Sequence, residues 1–208
     1  KEKEDRDKNT LNNITSKWPA LNKLDNNYQP SDGYLTKFSQ VFPLYADDWS
    51  VENSFNFSKY HSLNDNLILS AKFMIQSINS LDDNVRVSKR IYLPGRNLRG
   101  FESGSIGPKD GDQYIGGNYG SSLNLNTTLP NFFYGYENID FNLFVDLANL
   151  WSVDYDNSLD SNKIRSSTGL SVNWFSPIGP LSFSYAVPLT KAKSDKTESF
   201  RFQIGTSF

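Results

Sequence analysis

The chain contains no cysteine and a single histidine, His61. Disulfide frameworks, thiolate zinc sites, iron–sulfur clusters and cysteine nucleophiles are therefore excluded, and imidazole chemistry could rest on one residue only. Long apolar runs are also missing. Nothing approaches the roughly 20 consecutive apolar residues of a membrane-spanning helix, a statement that does not bear on β-barrels. Neither sign of charge is in surplus. Lys and Arg number 21 against 23 Asp and Glu, a formal net charge of −2 over 208 residues. No basic excess exists to track a phosphate backbone, so nucleic acid is not an expected partner. Apolar residues are sparse, 37% of the chain, yet there are 15 Phe, 11 Tyr and 4 Trp. Disordered chains are aromatic-poor. A polar, aromatic-rich chain fits a soluble β-sandwich, or a membrane β-barrel in which only every second residue meets lipid and aromatics gather at the interfaces.

The first eight residues, Lys-Glu-Lys-Glu-Asp-Arg-Asp-Lys, form a charge run that reads as a solvated loop. No signal-peptide pattern opens the chain. A weak first strand is expected between Ile14 and Leu24, and Tyr28-Gln29-Pro30-Ser31-Asp32-Gly33 is a turn signal. Residues 1–27 are thus a charged loop with a possible strand, and residues 28–208 form the main unit.

From Tyr34 onward, period-2 alternation recurs. Leu181, Phe183, Tyr185, Val187 and Leu189 share one face, with Ser182, Ser184, Ala186 and Pro188 on the other. Ile139, Phe141, Leu143, Val145 and Leu147 oppose Asp140, Asn142, Phe144, Asp146 and Ala148. Leu123, Leu125 and Leu129 oppose Ser122, Asn124, Asn126 and Thr128, and Phe200, Phe202, Ile204, Thr206 and Phe208 oppose Ser199, Arg201, Gln203, Gly205 and Ser207. Tyr34–Pro43, Ser50–Tyr60, Leu67–Asn79 and Ser167–Phe175 are further candidates. Each segment reaches about ten residues, the length of a tilted strand crossing a bilayer, where soluble strands average roughly five to six. No helix is expected. Short turns at Asn64-Asp65-Asn66 and Ser176-Pro177-Ile178-Gly179 tend to alternate with the long polar connections Ser80–Gly117, Ser152–Arg165 and Lys191–Glu198, although Leu44–Trp49 is short where a long one is due. That alternation, with strand length and the polar second face, favours an antiparallel transmembrane β-barrel over a sandwich. Tyr114, Tyr119, Phe132, Phe133, Tyr134, Tyr136, Trp151 and Trp174 lie at segment ends and suit interfacial girdles, with ordinary packing in a soluble sheet as the alternative. Tyr134-Gly135-Tyr136 reads as a turn.

Chemistry has few candidates. His61 lies beside a turn with no nucleophile or orienting acid suggested near it. Asp110-Gly111-Asp112 lacks the further acids of a calcium loop. Gly95-Arg96-Asn97-Leu98-Arg99-Gly100 lacks the Gly-Lys-Ser/Thr ending of a phosphate loop. No catalytic residue, metal site or cofactor is expected.

Five segments in fixed order carry a resemblance. They are Leu98-Arg99-Gly100-Phe101 with Ser105-Ile106-Gly107-Pro108-Lys109; Gly116-Gly117-Asn118; Phe144-Val145-Asp146-Leu147-Ala148-Asn149-Leu150-Trp151; Trp174-Phe175-Ser176-Pro177-Ile178-Gly179-Pro180-Leu181 with Ser182-Phe183-Ser184-Tyr185-Ala186; and Phe200-Arg201-Phe202-Gln203-Ile204-Gly205-Thr206-Ser207-Phe208. Together they resemble the bacterial outer-membrane protein assembly factors, a family of POTRA-barrel insertases. The likeness is strong from about Leu93 to Phe208 and fainter from Asp25. Related translocation barrels and two-partner secretion transporters share the Arg-Gly-aromatic loop. The Ile-Gly-Pro-Lys continuation and the Ser-Pro-Ile-Gly-Pro-Leu hairpin favour the assembly factors.

The resemblance implies an all-β, antiparallel transmembrane barrel, of which this chain is the C-terminal half, about eight or nine of the family's sixteen strands. It implies a longer parent protein with POTRA domains in cis. It implies residence in the bacterial outer membrane, no enzymatic activity, and a role in folding and inserting β-barrel clients through a weak lateral seam. Unfolded outer-membrane clients, accessory lipoproteins and outer-membrane lipid are the implied partners. A translocation or secretion transporter is the first alternative and a passive porin the second.

Within the family, the loop holding Leu98, Arg99, Gly100 and Phe101 folds back into the barrel, where its Arg meets acids on the wall. Asp146 sits on the polar face of an otherwise apolar strand and so points into the lumen, where a guanidinium–carboxylate pair in partly dry surroundings is charge-assisted. On pattern alone, a solvated Arg99 with Asp146 facing water in the lumen is the favoured reading, since exposed ion pairs are common and weak. The family's second acid aligns with Asn126, so one charge of that network is missing. Gly205 is expected within the last strand, where glycine weakens pairing. The family opens beside this glycine, although relief of packing is an equal reading from the residue itself. Phe200, Phe202 and the terminal Phe208 resemble the C-terminal signal of outer-membrane proteins.

Overall fold

The computed structural model describes residues 12–45, 49–64, 67–81, 84–129, 138–160, 163–177 and 179–205. The charged stretch Lys1–Lys8, the Tyr134-Gly135-Tyr136 turn, Phe132, Phe133 and Phe208 lie outside them. Twelve strands are described: β1 (Asn12–Lys17), β2 (Leu21–Asn22), β3 (Gly33–Tyr45), β4 (Ser50–Asn64), β5 (Leu67–Ser80), β6 (Lys109–Asp110), β7 (Gln113–Tyr114), β8 (Tyr119–Leu129), β9 (Ile139–Trp151), β10 (Arg165–Ser176), β11 (Gly179–Thr190) and β12 (Phe200–Ile204). Helix is confined to 3₁₀ turns at Val87–Lys89 and Asn157–Leu159.

One antiparallel sheet runs in the order β1-β3-β4-β5-β8-β9-β10-β11-β12, with β2 also paired to β3. Nine strands on one path match the eight or nine expected. The strands β3, β4, β5, β8, β9, β10 and β11 are 11 to 15 residues long, more than the ~9–11 a tilted strand needs to cross a bilayer. Several run past the expected ends. The pairing of β4 with β5 continues through His61 and Ser62 to Asn64, because main-chain pairing does not stop where apolar side chains do. The last strand was expected to span Ser199 to Phe208; β12 is described from Phe200 to Ile204, and residues 206–208 lie outside the described residues.

The sheet is inside-out relative to a soluble domain. Along β9, Asn142, Phe144, Asp146, Ala148 and Leu150 are buried, while Leu143 and Val145 are 46% and 38% exposed. The row Leu125–Val145–Thr168–Val187 continues across four strands in register, and Leu143–Leu170–Tyr185–Phe200 forms the next. Leu170, Tyr185, Val187 and Leu189 are each about half exposed. A sandwich would bury such rows against a second sheet; here they form a continuous apolar band of the kind that faces lipid.

Buried apolar mass lies on the other side of the sheet. Residues 84–118 of the connection from β5 to β8 fold back over the inner face. Leu93, Leu98, Phe101 and Ile106 from this loop pack with Met74 of β5 and with Ala148 and Leu150 of β9. The loop is stitched at its base. Ile91 and Gly117 exchange two main-chain hydrogen bonds of 2.9 and 3.0 Å, and Ile78 N–H donates to the Asn118 carbonyl at 2.8 Å. On the short-turn side, the Asp25 carboxylate accepts from Ser31 Oγ at 2.5 Å and from Asp32 N–H at 3.1 Å. These bonds, the Ser31 hydroxyl first, lower its pKa to about 2.

Leu170→Arg should destabilise the full-length barrel in lipid vesicles by ~2–4 kcal/mol, the cost of a cation on the lipid face near mid-membrane. Leu170→Phe should stay within about 0.5 kcal/mol. Urea titrations followed by tryptophan fluorescence measure both. An equally large loss for Phe would mean that Leu170 packs against protein instead.

Candidate functional site

Residues 94–101 form a tight excursion of the loop. Asn97 N–H closes a turn onto the Pro94 carbonyl at 2.9 Å. Gly100 has φ of +88°, and a Cβ there would come within 3.1 Å of Ala186 Cβ and 3.3 Å of Ser167 Cβ. A glycine is required both for the left-handed backbone and for the close approach to the wall. The result is that Arg99 points its own N–H and its side chain at the same acid.

That acid is Asp146, whose side chain is completely buried. Its Oδ2 accepts from Arg99 N–H at 3.0 Å and Arg99 Nε at 2.8 Å. Its Oδ1 accepts from Arg99 Nη2 at 2.7 Å and Asn124 Nδ2 at 2.8 Å. A bidentate guanidinium with two further N–H donors covers the lone pairs of a buried carboxylate almost completely, which makes burial of the pair tolerable. Arg99 Nη2 also donates to Asn126 Oδ1 at 2.8 Å. Asn126 thus joins the seat through a neutral amide. The guanidinium carbon lies 3.4 Å from the Phe144 ring centroid, a cation–π contact strengthened by exclusion of water. Phe144 and Asp146 are two apart on β9, so one strand face supplies both the ring and the counter-ion.

Neighbouring groups complete the seat. Asn124 Nδ2 donates to the Asn97 carbonyl at 3.0 Å, Asn97 Nδ2 donates to Ser122 Oγ at 2.8 Å, and Ser167 Oγ donates to the Arg99 carbonyl. Leu98 and Phe101, 2% and 1% exposed, flank Arg99 in the apolar cluster. β5, β8, β9 and β10 thus all touch the loop.

Contacts that the sequence reading did not single out join the loop to the end of the chain. Arg201 of β12 donates from Nη2 to the Phe101 carbonyl at 2.6 Å and pairs with Glu198 at 2.6 Å. The 95–105 and 196–198 segments exchange main-chain hydrogen bonds, Glu102 N–H to the Lys196 carbonyl at 3.1 Å and Glu198 N–H to the Gly100 carbonyl at 3.1 Å. A separate contact, between the start of β10 and the connection that precedes β12, is Arg165 with Asp195, both side chains fully buried, with Nε–Oδ2 at 3.0 Å and Nη2–Oδ1 at 3.1 Å. Arg165 Nη1 also donates to Asn149 Oδ1 at 2.8 Å. In the sequence, Asp195 sits among lysines and reads as part of a solvated run; only the tertiary fold reveals its partner.

At the terminal edge, β12 pairs with β11 over five residues, from Leu181↔Ile204 to Tyr185↔Phe200. Gly205 lies just beyond the strand and not within it, with φ of +121° and its N–H on the Pro180 carbonyl at 3.0 Å. The positive φ turns the backbone out of extended geometry at the end of the described part of the strand. Phe200 and Phe202 are half exposed beside Phe183, with ring centroids 6.5 and 4.8 Å away. Elsewhere, exposed His61 faces the exposed Asp32 at 3.5 Å. Asp112 pairs at 3.5 Å with Lys109 across the β6–β7 hairpin.

An antiparallel sheet with an apolar outer band, polar inner wall and inward-docked loop defines a membrane β-barrel portion. The model of the Omp85 superfamily domain matches residues 1–208, and the chain belongs to that superfamily of outer-membrane proteins. It is similar to the outer membrane protein assembly factor BamA of Neisseria meningitidis serogroup B, with 28% identity over 225 residues covering 90% of this chain and 28% of the relative. It is also 29% identical to BamA of Neorickettsia risticii, covering 90% of this chain and 26% of that protein. The chain thus spans less than a third of the length of these relatives. The crystal structure of BamA from Haemophilus ducreyi lacking POTRA domains 1-3 superposes with a TM-score of 0.85 at 30% identity, over 94% of this chain and 42% of that one.

Breaking a buried pair by removing one member costs ~3–5 kcal/mol. Arg99→Ala and Asp146→Ala in the full-length protein should each destabilise by that order, and the double variant by much less than the sum. Arg99→Lys should rescue little, because an ammonium cannot make the fork or the planar stack. Additive losses in the double-mutant cycle, measured by urea titration, would contradict the coupling.

Proposed function

We propose that this chain is the C-terminal barrel portion of an outer-membrane protein assembly factor, which folds and inserts β-barrel clients into the bacterial outer membrane. The observation that carries the reading is the Arg99–Asp146 seat joined through Phe101 and Arg201 to the last strand, which among the described residues pairs with β11 over five residues. Superfamily membership and the likeness to assembly factors support it.

The mechanism follows from unequal strand stability. Strands β8 to β11 pair over 10 or 11 register positions each, whereas β12 among the described residues pairs over five and is followed by a glycine with positive φ. Local opening draws on the least stable elements. A frayed terminal edge offers unpaired N–H and C=O groups, and an incoming client strand can satisfy them by β-augmentation. The client's own folding free energy then drives insertion without a nucleotide. In this reading, the docked loop is a brace that holds the inner wall in register while the seam opens. Unfolded clients, accessory lipoproteins, POTRA domains in cis and a locally perturbed outer-membrane lipid are the partners of the whole protein. Phe200, Phe202 and Phe208 serve as its own C-terminal insertion signal.

A reversible lock tests this. A cysteine replacing Gln203 and one at the facing position on the first strand of the full-length protein should form a disulfide that halts client assembly, with recovery on reduction. Normal client insertion with the seam fully crosslinked would contradict lateral opening and favour a porin-like or transporter role.

A further inference from the structure

One register row on the outer face departs from the apolar band. Gln40 pairs with Asn53, Asn53 with Ser77, Ser77 with Tyr119 and Tyr119 with Trp151, across β3, β4, β5, β8 and β9. The ladder fixes which way these residues face. The lipid-facing row through Val145 and Leu125 continues to Ala71, Lys59 and Tyr34. Side chains alternate along a strand. Gln40 therefore shares the outer face with Tyr34, Phe38 and Phe42, Asn53 with Phe55, Phe57 and Lys59, and Ser77 with Ala71, Phe73 and Ile75. Phe42, Phe73 and Ile75 are 40%, 37% and 41% exposed. Closing the barrel with further strands would change the lumen and leave this face in lipid.

The polar members of the row are bonded to one another. Gln40 Nε2 donates to Asn53 Oδ1 at 2.6 Å, and Asn53 Nδ2 donates to Ser77 Oγ at 3.2 Å. At the upper end, the Tyr119 hydroxyl donates to Asn79 Oδ1 at 2.6 Å, and the Tyr119 ring stacks on Trp151 at 5.9 Å. Tyr and Trp gather at membrane interfaces, so the row starts at the long-loop rim. From there it descends. Tyr34 is one residue from the short-turn end of β3, Lys59 five from that of β4 and Val187 eight from that of β11, so register rows climb towards β11. With strands ~4.8 Å apart and tilted by ~40°, each strand crossed lowers the row by ~3 Å, which places Gln40 ~9 Å below the Tyr119 level. Gln40 and Asn53 thus lie in the hydrocarbon of the leaflet on the long-loop side.

The internal bonds leave groups unspent. Each amide keeps one N–H, and Gln40 Oε1 and the Ser77 hydroxyl proton have no partner among the described residues. Unpaired polar groups in hydrocarbon are costly. This set needs both acceptors, for its N–H and O–H groups, and a donor, for Gln40 Oε1. The ester linkages of a glycerophospholipid supply acceptors only. An acyl amide with a hydroxyl beside it supplies N–H and O–H donors as well.

We infer that the Gln40–Asn53–Ser77 row binds a membrane lipid whose acyl chain is joined through an amide and carries a neighbouring hydroxyl. Phe38, Phe42, Phe55 and Ile75 flank the row on its own face and pack against the acyl chains. Tyr119 and Asn79 meet the headgroup level. The inference rests on the chain crossing a membrane and not on the assembly role, so the two fail separately.

The test reconstitutes the full-length protein in phosphatidylcholine nanodiscs containing a minor fraction of sphingomyelin. The two lipids share a phosphocholine headgroup and differ in the amide and hydroxyl. Native mass spectrometry measures the sphingomyelin retained on the protein against its bulk fraction. The unaltered protein should enrich it. Gln40→Leu and Asn53→Leu should each lower the enrichment roughly fivefold, the worth of about one net hydrogen bond. Thr127→Val, a polar-to-apolar change on the same outer face of β8 near the short-turn end, should leave it unchanged. Apolar substitutions suit a lipid-facing position, and heat-modifiable gel migration confirms that each variant remains folded. Sphingomyelin at its bulk fraction on the unaltered protein would overturn the inference, since the row would then hold water alone. So would enrichment that survives the Gln40→Leu, Asn53→Leu double variant, or an equal loss in Thr127→Val.

Discussion

A carboxylate with no exposure to water, Asp146, governs the arrangement of the inner wall. An isolated charge in that position would be prohibitive, so every contact around it is a condition of folding. Its four donors come from a loop main chain, a loop side chain and the adjacent strand β8. Satisfying Asp146 therefore requires the loop to enter, and entry brings Leu98, Phe101 and Ile106 against Met74, Ala148 and Leu150. The apolar cluster supplies the drive, while the ion pair sets the register. Apolar packing alone would tolerate sliding; a bidentate fork between fixed partners does not.

The same loop then reaches the far end of the chain. Arg201 lies against Gly95, where any Cβ would collide with its guanidinium, and donates to the Phe101 carbonyl. The Arg165–Asp195 pair holds the preceding connection down on β10. The terminal strand is thus weakly held by its sheet partner and firmly held by side chains at its long-loop end. An element of this kind can fray from its other end while keeping its place. That is the property a client-accepting edge needs under the function proposed above.

Much of the fold was legible because period-2 alternation survives in β9, β10 and β11, where a lipid face and a polar wall impose opposite demands on successive residues. The low apolar share has the same cause, since only one face requires it. Strand ends were less legible. Main-chain pairing persists through Ser62–Asn64 without an apolar signal, and the described part of the last strand gives way at Gly205 to a positive φ. Arg99 and Asp146 lie 47 residues apart, and no spacing rule links them; the loop motif singled out the arginine, and alternation placed the acid on the wall. Asn124 and Ser167 looked like ordinary wall polars. Arg165 and Asp195 gave no signal, because a buried pair between a strand start and a lysine-rich loop exists only in three dimensions.

The central claim is that Asp146 holds the loop inside. Ser105 is buried in the docked loop and Ser158 is exposed on a different connection, and serine-to-cysteine is a nearly isosteric change at both. The decisive measurement is the labelling rate of each cysteine by a bulky, membrane-impermeant maleimide on intact cells making the full-length protein. Position 158 should label rapidly and position 105 slowly. Adding Asp146→Ala should release position 105 to a rate near that of position 158, while the protein remains in the membrane. Equal labelling at both positions with Asp146 intact, or protection at position 105 that survives Asp146→Ala, would contradict the account.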